Sequence, residues 1–523
     1  MNRQQMISQL ESLSDEWDIC IIGGGATGLG AAIDAASRGF KTILLEQYDF
    51  AKGTSSRSTK LVHGGVRYLQ QGNIKLVLEA LRERGLLKSN APHLVKNQSF
   101  IVPNYKWWEG AFYGIGLKVY DWMSGRLGLG PSQLLSKDET LELAPTLDAD
   151  GLRGGVLYHD GQFDDARLAI NLAQTSAENG GVLINYCKVI GLIKTDDKIT
   201  GVHARDILNN KDYEIKAKSI INATGVFTDS ILKMDDANSE DIIAPSQGVH
   251  IVLDKEFLPG DAAIMVPHTD DGRVLFAVPW HNKIIIGTTD TPIDEHSEKS
   301  LAEPVAMEEE INFILNQIGK YLTHTPNRKN IRSVFAGLRP LVKGNSKKTA
   351  ELARDHLITV SDAGLITITG GKWTTYRRMA EDVINTVIKK ANLENKPCVT
   401  AGLKIHGARE NTDFKAPLYY YGTDEEKIKS LIEKDRSLSE LIHPNLPYIK
   451  AEIILAVQNE MCMTVEDALA RRTRALLLDA KATIESAPVV ASLMAKEMNK
   501  DENWIQEQIK SFNEIAKNYL PNI

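Results

Sequence analysis

Apolar runs of strand length alternate with longer stretches of helical periodicity through most of the chain. Ile19-Cys20-Ile21-Ile22 is uninterrupted and β-rich, which predicts a strand buried on both faces. The stretch after it carries Ala31, Ala32, Ala35 and Ala36, small residues that suit a helix lying close on a sheet, and Gly39 stops it. Thr42–Leu45 predicts the next strand. Residues 73–89 place Leu76, Leu78, Leu81, Leu86 and Leu87 among charges, an amphipathic helix. Residues 164–192 read as helix then strand: Asp164-Asp165-Ala166-Arg167 opens the helix, Gly180-Gly181 closes it, and Val182–Tyr186 returns to the sheet. Residues 219–225 form a further strand that ends in a small-residue turn, so the first sheet is assembled from separated segments. Residues 246–290 alternate, with a hairpin expected around His281-Asn282 and a second, more antiparallel sheet. Strand, glycine and helix signals return over 331–379. From about 395 the pattern is helices and linkers, for example Lys450–Met461 and Thr464–Leu478. No internal repeat is visible.

At 523 residues the chain exceeds what one core usually supports, so two or three domains are expected. Apolar content of 43% and charged content of 25% are ordinary for a soluble globular protein. A formal net charge of −7 argues against nucleic acid as a partner. Cys20, Cys187, Cys398 and Cys462 are scattered, without metal-ligand spacing, which points to a reducing compartment and no bound metal. Residues 1–16 lack a signal-peptide core, and no run of about eighteen apolar residues predicts a membrane span. Any membrane contact is then peripheral.

Chemistry enters with the turn between the first two elements. Gly23, Gly25 and Gly28 fit G-x-G-x-x-G: the first permits a tight turn, the second a close backbone approach to a pyrophosphate, the third tight helix–strand packing. The following helix aims its N-terminal N–H groups at phosphate. Glu46 ends the second strand, eighteen residues after Gly28, where a carboxylate accepts from ribose hydroxyls and disfavours a 2′-phosphate. Strand, turn, helix, strand and acid in that order predict a dinucleotide site. Residues 49–69, rich in hydroxyls, glycines and bases, offer donors to phosphates and to a ring system; the alternative is a polar surface loop. Residues 101–130 concentrate Tyr105, Trp107, Trp108, Phe112, Tyr113, Tyr120 and Trp122 among Lys106, Lys118 and Arg126. Simple packing is the favoured reading, and a helix that dips aromatics into a bilayer is the alternative.

The glycine turn, the block from Thr54-Ser55-Ser56 to His63-Gly64-Gly65-Val66-Arg67-Tyr68, the Ala223-Thr224-Gly225 turn, Gly337-Leu338-Arg339-Pro340, Gly370 through Arg377 and Glu466 through Arg474 together resemble the FAD-dependent glycerol-3-phosphate dehydrogenases. The block around His63 is specific; the glycine turn is shared by many flavoproteins. Trp373 replaces the more usual Leu, and Arg57 sits in a Ser-rich run, without loss of a functional side chain. The resemblance implies an α/β fold: a glutathione-reductase-like, Rossmann-type FAD domain, a D-amino-acid-oxidase-like mixed or antiparallel substrate domain, and an all-α C-terminal domain. The expected boundaries are 1–95, 151–245 and 331–394 for the FAD domain, 96–150 and 246–330 for the substrate or cap domain, and 395–523 for the helical domain. It also implies oxidation of sn-glycerol 3-phosphate to dihydroxyacetone phosphate, with hydride passing to FAD and electrons to membrane quinone. The expected location is cytoplasmic, against the inner face of the cell membrane, with a homodimer as a further expectation.

Such a substrate needs fixed cations for its phosphate and a base for its hydroxyl proton. Arg339, between Gly337 and Pro340, is the first phosphate candidate, against a surface salt bridge as the alternative. Arg67 with Tyr68 is the second. His250 is the candidate base, with a satisfied structural histidine as the competing role. Lys372 follows two glycines and is placed at the flavin edge or the phosphate, and Thr289 is a polar substrate contact. For FAD, Gly23, Gly25 and Gly28 are expected at the pyrophosphate and Glu46 at the ribose. Thr54, Ser55, Ser58, Lys60, Leu61, His63, Gly64 and Gly65 are expected along phosphate and isoalloxazine, with Ala223, Thr224 and Gly225 under the adenine half. Gly337, Gly370, Gly371, Lys372, Trp373 and Thr374 are expected to close the flavin end. Competing functions are a glycerophosphate oxidase that reduces oxygen to peroxide, an amino-acid oxidase of the same fold, and a non-catalytic FAD-binding scaffold. An oxidase of the family commonly carries an insertion for which this chain has little room.

Overall fold

A computed structural model describes residues 1–12, 15–65, 73–294, 297–343 and 356–521. Two sheets and a helical C-terminal region organise them. In the first sheet the order is His356–Val360, Ile366–Gly370, Lys211–Asn222, Trp17–Ile22, Thr42–Leu45, Val182–Ile184. Its central pairings are parallel, with Ile21 beside Ile221 and Leu44. Parallel strands need crossovers, and the helices Ala26–Ser37 and Asp165–Glu178 cover this sheet. That explains the unbroken apolar run Ile19–Ile22: water touches neither face, and its residues are almost wholly buried.

The second sheet has ten strands, mostly antiparallel. The hairpin expected at His281-Asn282 joins Leu275–Trp280 to Lys283–Gly287, with both turn residues at positive φ (45° and 61°), as a two-residue primed turn requires. Two strands that fall within the ranges expected for the FAD domain pair here instead. Gly154–Phe163 lies against Val95–Asn104, and Ile331–Val342 lies against Ile243–Asp254. Hydrophobic pattern marks a strand but not the sheet it joins; partner edges decide that. Beyond residue 395 no named strand follows among the described residues, and the helices Lys450–Asn459, Ala480–Met498 and Glu502–Ala516 pack as a layer.

The two readings of the aromatic stretch divide by helix face. Glu109–Ser124 turns Tyr113, Leu117 and Tyr120 into the protein. Its other face exposes Phe112, Ile115, Val119 and Trp122, next to Trp107, and both tryptophans are 82% exposed. Packing therefore accounts for only the inner half of the cluster. No described helix is long and apolar enough to cross a membrane.

One buried histidine couples the fold to pH. His93 is fully buried beside Asn171 (3.2 Å), and burial pushes its pKa down to about 4. The unfolded chain takes up that proton near pH 6.5, so the contribution is intact above that pH and is lost as pH falls toward 4. Urea titrations at pH 7 and pH 4.5 are expected to show His93→Gln losing about 2–3 kcal/mol less between the two than the parent.

Candidate active site

The glycine turn opens onto a cavity of about 480 Å3 between the two sheets. Gly23 sits at φ 109°, and a Cβ there would come within 2.7 Å of the Ala223 carbonyl oxygen. The N-cap residue Gly25 has no side chain to cap the helix Ala26–Ser37, and Ser55 Oγ, on the cavity wall, accepts from the Ala26 N–H at 2.9 Å. Glu46 is held by two backbone donors, with Oε2 accepting from Gly24 N–H at 2.6 Å and Oε1 from Tyr48 N–H at 2.8 Å. Burial pushes its pKa up to about 7. Backbone-lined turn, helix N-terminus and oriented acid fit a dinucleotide.

At the other end, two strands of the second sheet place chemistry on one face. In the register, Ser246, Gly248 and His250 stand opposite Arg339, Gly337 and Phe335. The paired glycines leave a window bare of their own side chains, with the Arg339 guanidinium lying over Gly248, 2.5 Å from where a Cβ would stand, and His250 on the other side. A Cβ at Gly337 would come within 2.7 Å of the Arg57 carbonyl oxygen, and one at Gly287 within 2.2 Å of the His250 ring. Substitution at either would push the wall into the cavity or displace His250.

His250 is 3% exposed, stacks on Phe335 at 4.8 Å, and has Nε2 2.9 Å from Thr59 Oγ1. Burial, then the Lys60 and Arg339 charges, hold its pKa well below the usual value, so the ring is neutral at neutral pH. Arg339 Nη2 donates to Thr289 O (3.0 Å) and Thr288 Oγ1 (3.2 Å), and Nη1 lies 3.3 Å from Asp290. Beyond it lies a second cavity of about 350 Å3, which shares Thr59, Leu61, His63, Phe276 and Arg339 with the first.

Most sequence-predicted residues reach these walls. Gly23, Gly25, Glu46, Thr54, Ser55 and Ser58 line one end of the first cavity, with Ala223, Thr224 and Gly225 across from them. Leu61, His63, Gly337 and the segment Gly370, Gly371, Lys372, Trp373 and Thr374 line the other, and Trp373 Nε1 donates to Ser55 O at 2.8 Å. Gly65 and Thr289 face the second cavity. Others sit elsewhere. Lys60 is buried against Asp165 (2.7 Å) and Ser56 O (2.6 Å), away from the cavity wall, because a lysine taken out of water must be paired. Gly64 gives its N–H to Tyr120 Oη (2.8 Å), and Gly28 packs helix on strand, where a Cβ would meet Gly23 O at 1.9 Å. The Thr289 hydroxyl is committed, donating to Glu310 (2.9 Å) and accepting from Val249 N–H (3.0 Å). Arg67 and Tyr68 lie outside the described residues.

Sequence reading missed Thr59, Thr288 and Asp290, which meet His250 and Arg339. Thr59 lay inside the hydroxyl-rich block; the other two carried no signal beyond polarity.

The matches to known proteins divide the chain between the two-sheet body and the helical C-terminal region. Residues 18–377 match the model of the FAD dependent oxidoreductases, and residues 366–505 that of the C-terminal domain of alpha-glycerophosphate oxidase. The mitochondrial glycerol-3-phosphate dehydrogenase of Macaca fascicularis is 41% identical, covering 99% of this chain and 75% of its own. That of Schizosaccharomyces pombe is 37% identical over 96% and 87%. The Bacillus halodurans glycerol-3-phosphate dehydrogenase, solved with FAD, superposes with a TM-score of 0.81 at 29% identity, covering 100% of this chain and 98% of that one. The chain belongs to the FAD-dependent oxidoreductases and, within them, to the FAD-linked glycerol-3-phosphate dehydrogenase family. Its cofactor is FAD.

Proposed function

We propose that this enzyme oxidises sn-glycerol 3-phosphate to dihydroxyacetone phosphate and that its electrons pass to a membrane quinone. The observation that supports the reading is the glycine window at Gly248 and Gly337, with a fixed guanidinium on one side and a neutral buried imidazole on the other. Gly23, Gly25 and Glu46 would hold the pyrophosphate and ribose, and Gly337 with Gly370 through Thr374 would bound the ring. FAD, when bound, supplies the hydride acceptor. The chain's residues do the rest. Arg339 and Lys372 bind the phosphate and orient the carbinol carbon toward the window. His250 takes the hydroxyl proton at Nε2, the ring nitrogen that meets Thr59. Phe335, stacked on the ring, and the surrounding sheet keep water from the imidazole. Anaerobic mixing with glycerol 3-phosphate should bleach the yellow absorbance of the bound flavin. Absence of bleaching by glycerol 3-phosphate, with bleaching by an amino acid, would overturn the assignment, and stoichiometric peroxide in air would overturn quinone as the acceptor.

The exposed face of Glu109–Ser124 is the proposed membrane contact. Trp107, Phe112, Ile115, Val119 and Trp122 form an apolar stripe, with Lys106 and Lys118 exposed beside it. Aromatics at the acyl boundary and lysines at anionic headgroups suit that arrangement. Sedimentation with anionic vesicles at low salt should carry down the parent protein, and the double change Trp107→Ser, Trp122→Ser should leave most of it in the supernatant. If the double variant still sediments but changes from dimer to monomer in solution, this face joins two copies instead.

A further inference from the structure

The loop from Asp49 to Lys60 supplies much of one wall of the FAD cavity. Hydrogen bonds tie it to the sheets, from Thr54 Oγ1 to Leu338 O (2.6 Å) and from Phe163 N–H to Lys60 O (3.0 Å), and charges from the C-terminal helical region hold its first half. Asp49 is fully buried and receives two arginines: Arg471 Nε at 2.5 Å and Arg472 Nη1 and Nη2 at 2.7 and 2.9 Å. Arg471 is itself oriented by Glu466 and Asp467, each at 2.7 Å. Lys52, on the cavity wall, reaches Glu466 at 2.6 Å and Glu303 at 2.6 Å. The far end of the loop is tied in the same way. Lys60 and Ser58 bind Asp165, whose neighbour Asp164 receives Arg474 Nε at 2.9 Å. The tie continues into the glycine turn, because Ala51 N–H donates to Gly24 O at 3.0 Å.

We propose that the segment Glu466–Arg474 is a cofactor-retention element: by fixing Asp49 and Lys52 it positions the loop that closes over FAD, so the helical region serves the cofactor site and not only the fold. Three features support this over a purely architectural seam. The arginines converge on the loop rather than on the strands beside it. The arginines' partners are Asp49, at one end of the segment, and Asp164, next to the Asp165 that binds Lys60 at the other. The loop also contacts the pyrophosphate turn through its backbone. Glu466 and Arg471 are positioning residues, since neither lines the cavity. Removing the Glu466 charge leaves Lys52 with Glu303 alone and takes from Arg471 one of its orienting carboxylates, which loosens the hold on the wall. The inference rests on FAD occupying the first cavity.

The test measures FAD release from the holoenzyme, followed as the rise in flavin fluorescence after dilution, together with melting of the apoprotein. Glu466→Gln keeps size and hydrogen bonding but drops the charge beneath Lys52. It should release FAD roughly ten-fold faster while apoprotein melting stays close to the parent's. Arg471→Lys, which retains charge but not the fork, should fall between the two; Arg471→Ala is the harsher form and risks misfolding. Unchanged FAD release in Glu466→Gln, or an apoprotein melting point that falls without faster release, would overturn the proposal. An apoprotein that binds no FAD at all, parent included, would instead sink the cofactor assignment, so the two failures are distinguishable.

Discussion

His250→Gln is expected to slow reduction of the bound FAD by glycerol 3-phosphate about 10²–10⁴-fold, the usual loss when a positioned base is removed. A neutral imidazole is the form that accepts a proton, and desolvation together with the Lys60 and Arg339 charges keeps the ring in it. Glutamine preserves polarity toward Thr59 but cannot take up the proton. Rapid mixing under anaerobic conditions reads the step directly, and flavin content should stay stoichiometric because His250 meets the window and not the pyrophosphate turn. A rise in KM with an unchanged limiting reduction rate would mean that His250 shapes the pocket without acting as the base.

Arg339→Ala is expected to weaken capture of glycerol 3-phosphate about 10–100-fold, the equivalent of losing charge-assisted hydrogen bonds of roughly 1.5–3 kcal/mol. The guanidinium is already oriented by Thr288, Thr289 and Asp290, so it pays little ordering entropy on meeting a phosphate. Arg339→Lys should recover only part of the loss, because an ammonium keeps the charge and forfeits the bidentate fork. Glycerol, which lacks the phosphate, should be handled about equally poorly by parent and variant. If the variant discriminated between glycerol and glycerol 3-phosphate as sharply as the parent, another cation would be the anchor.

What could be seen before folding depended on the range of the interaction. The glycine turn at Gly23, Gly25 and Gly28 and the acid at Glu46 are set by contacts within one βαβ unit, and local pattern exposes them. His250 could be singled out because an imidazole on a substrate-domain strand suits proton transfer, and Arg339 because a guanidinium on the Gly337–Pro340 segment suits a phosphate. Their meeting on one face could not, because it follows from the pairing of Ser246 with Arg339 and Gly248 with Gly337 across separated segments. Lys60 shows the same limit in reverse. Its place in a hydroxyl-rich block looks like a phosphate ligand, and only its burial with Asp165, a hundred and five residues on, turns it into a strut.

The chain by itself therefore determined the nucleotide turn, which arises from short-range order, while the fold class and FAD followed from the resemblance of its motifs to a known family. The tertiary structure alone decided which sheet Gly154–Phe163 and Ile331–Val342 join, which aromatics of Glu109–Ser124 face outward, and that Arg471 and Arg472 reach Asp49 more than four hundred residues away. Those outcomes are set by burial and by the need of each buried charge or strand edge for a partner, and a partner distant in sequence leaves no periodic trace near the residue it satisfies.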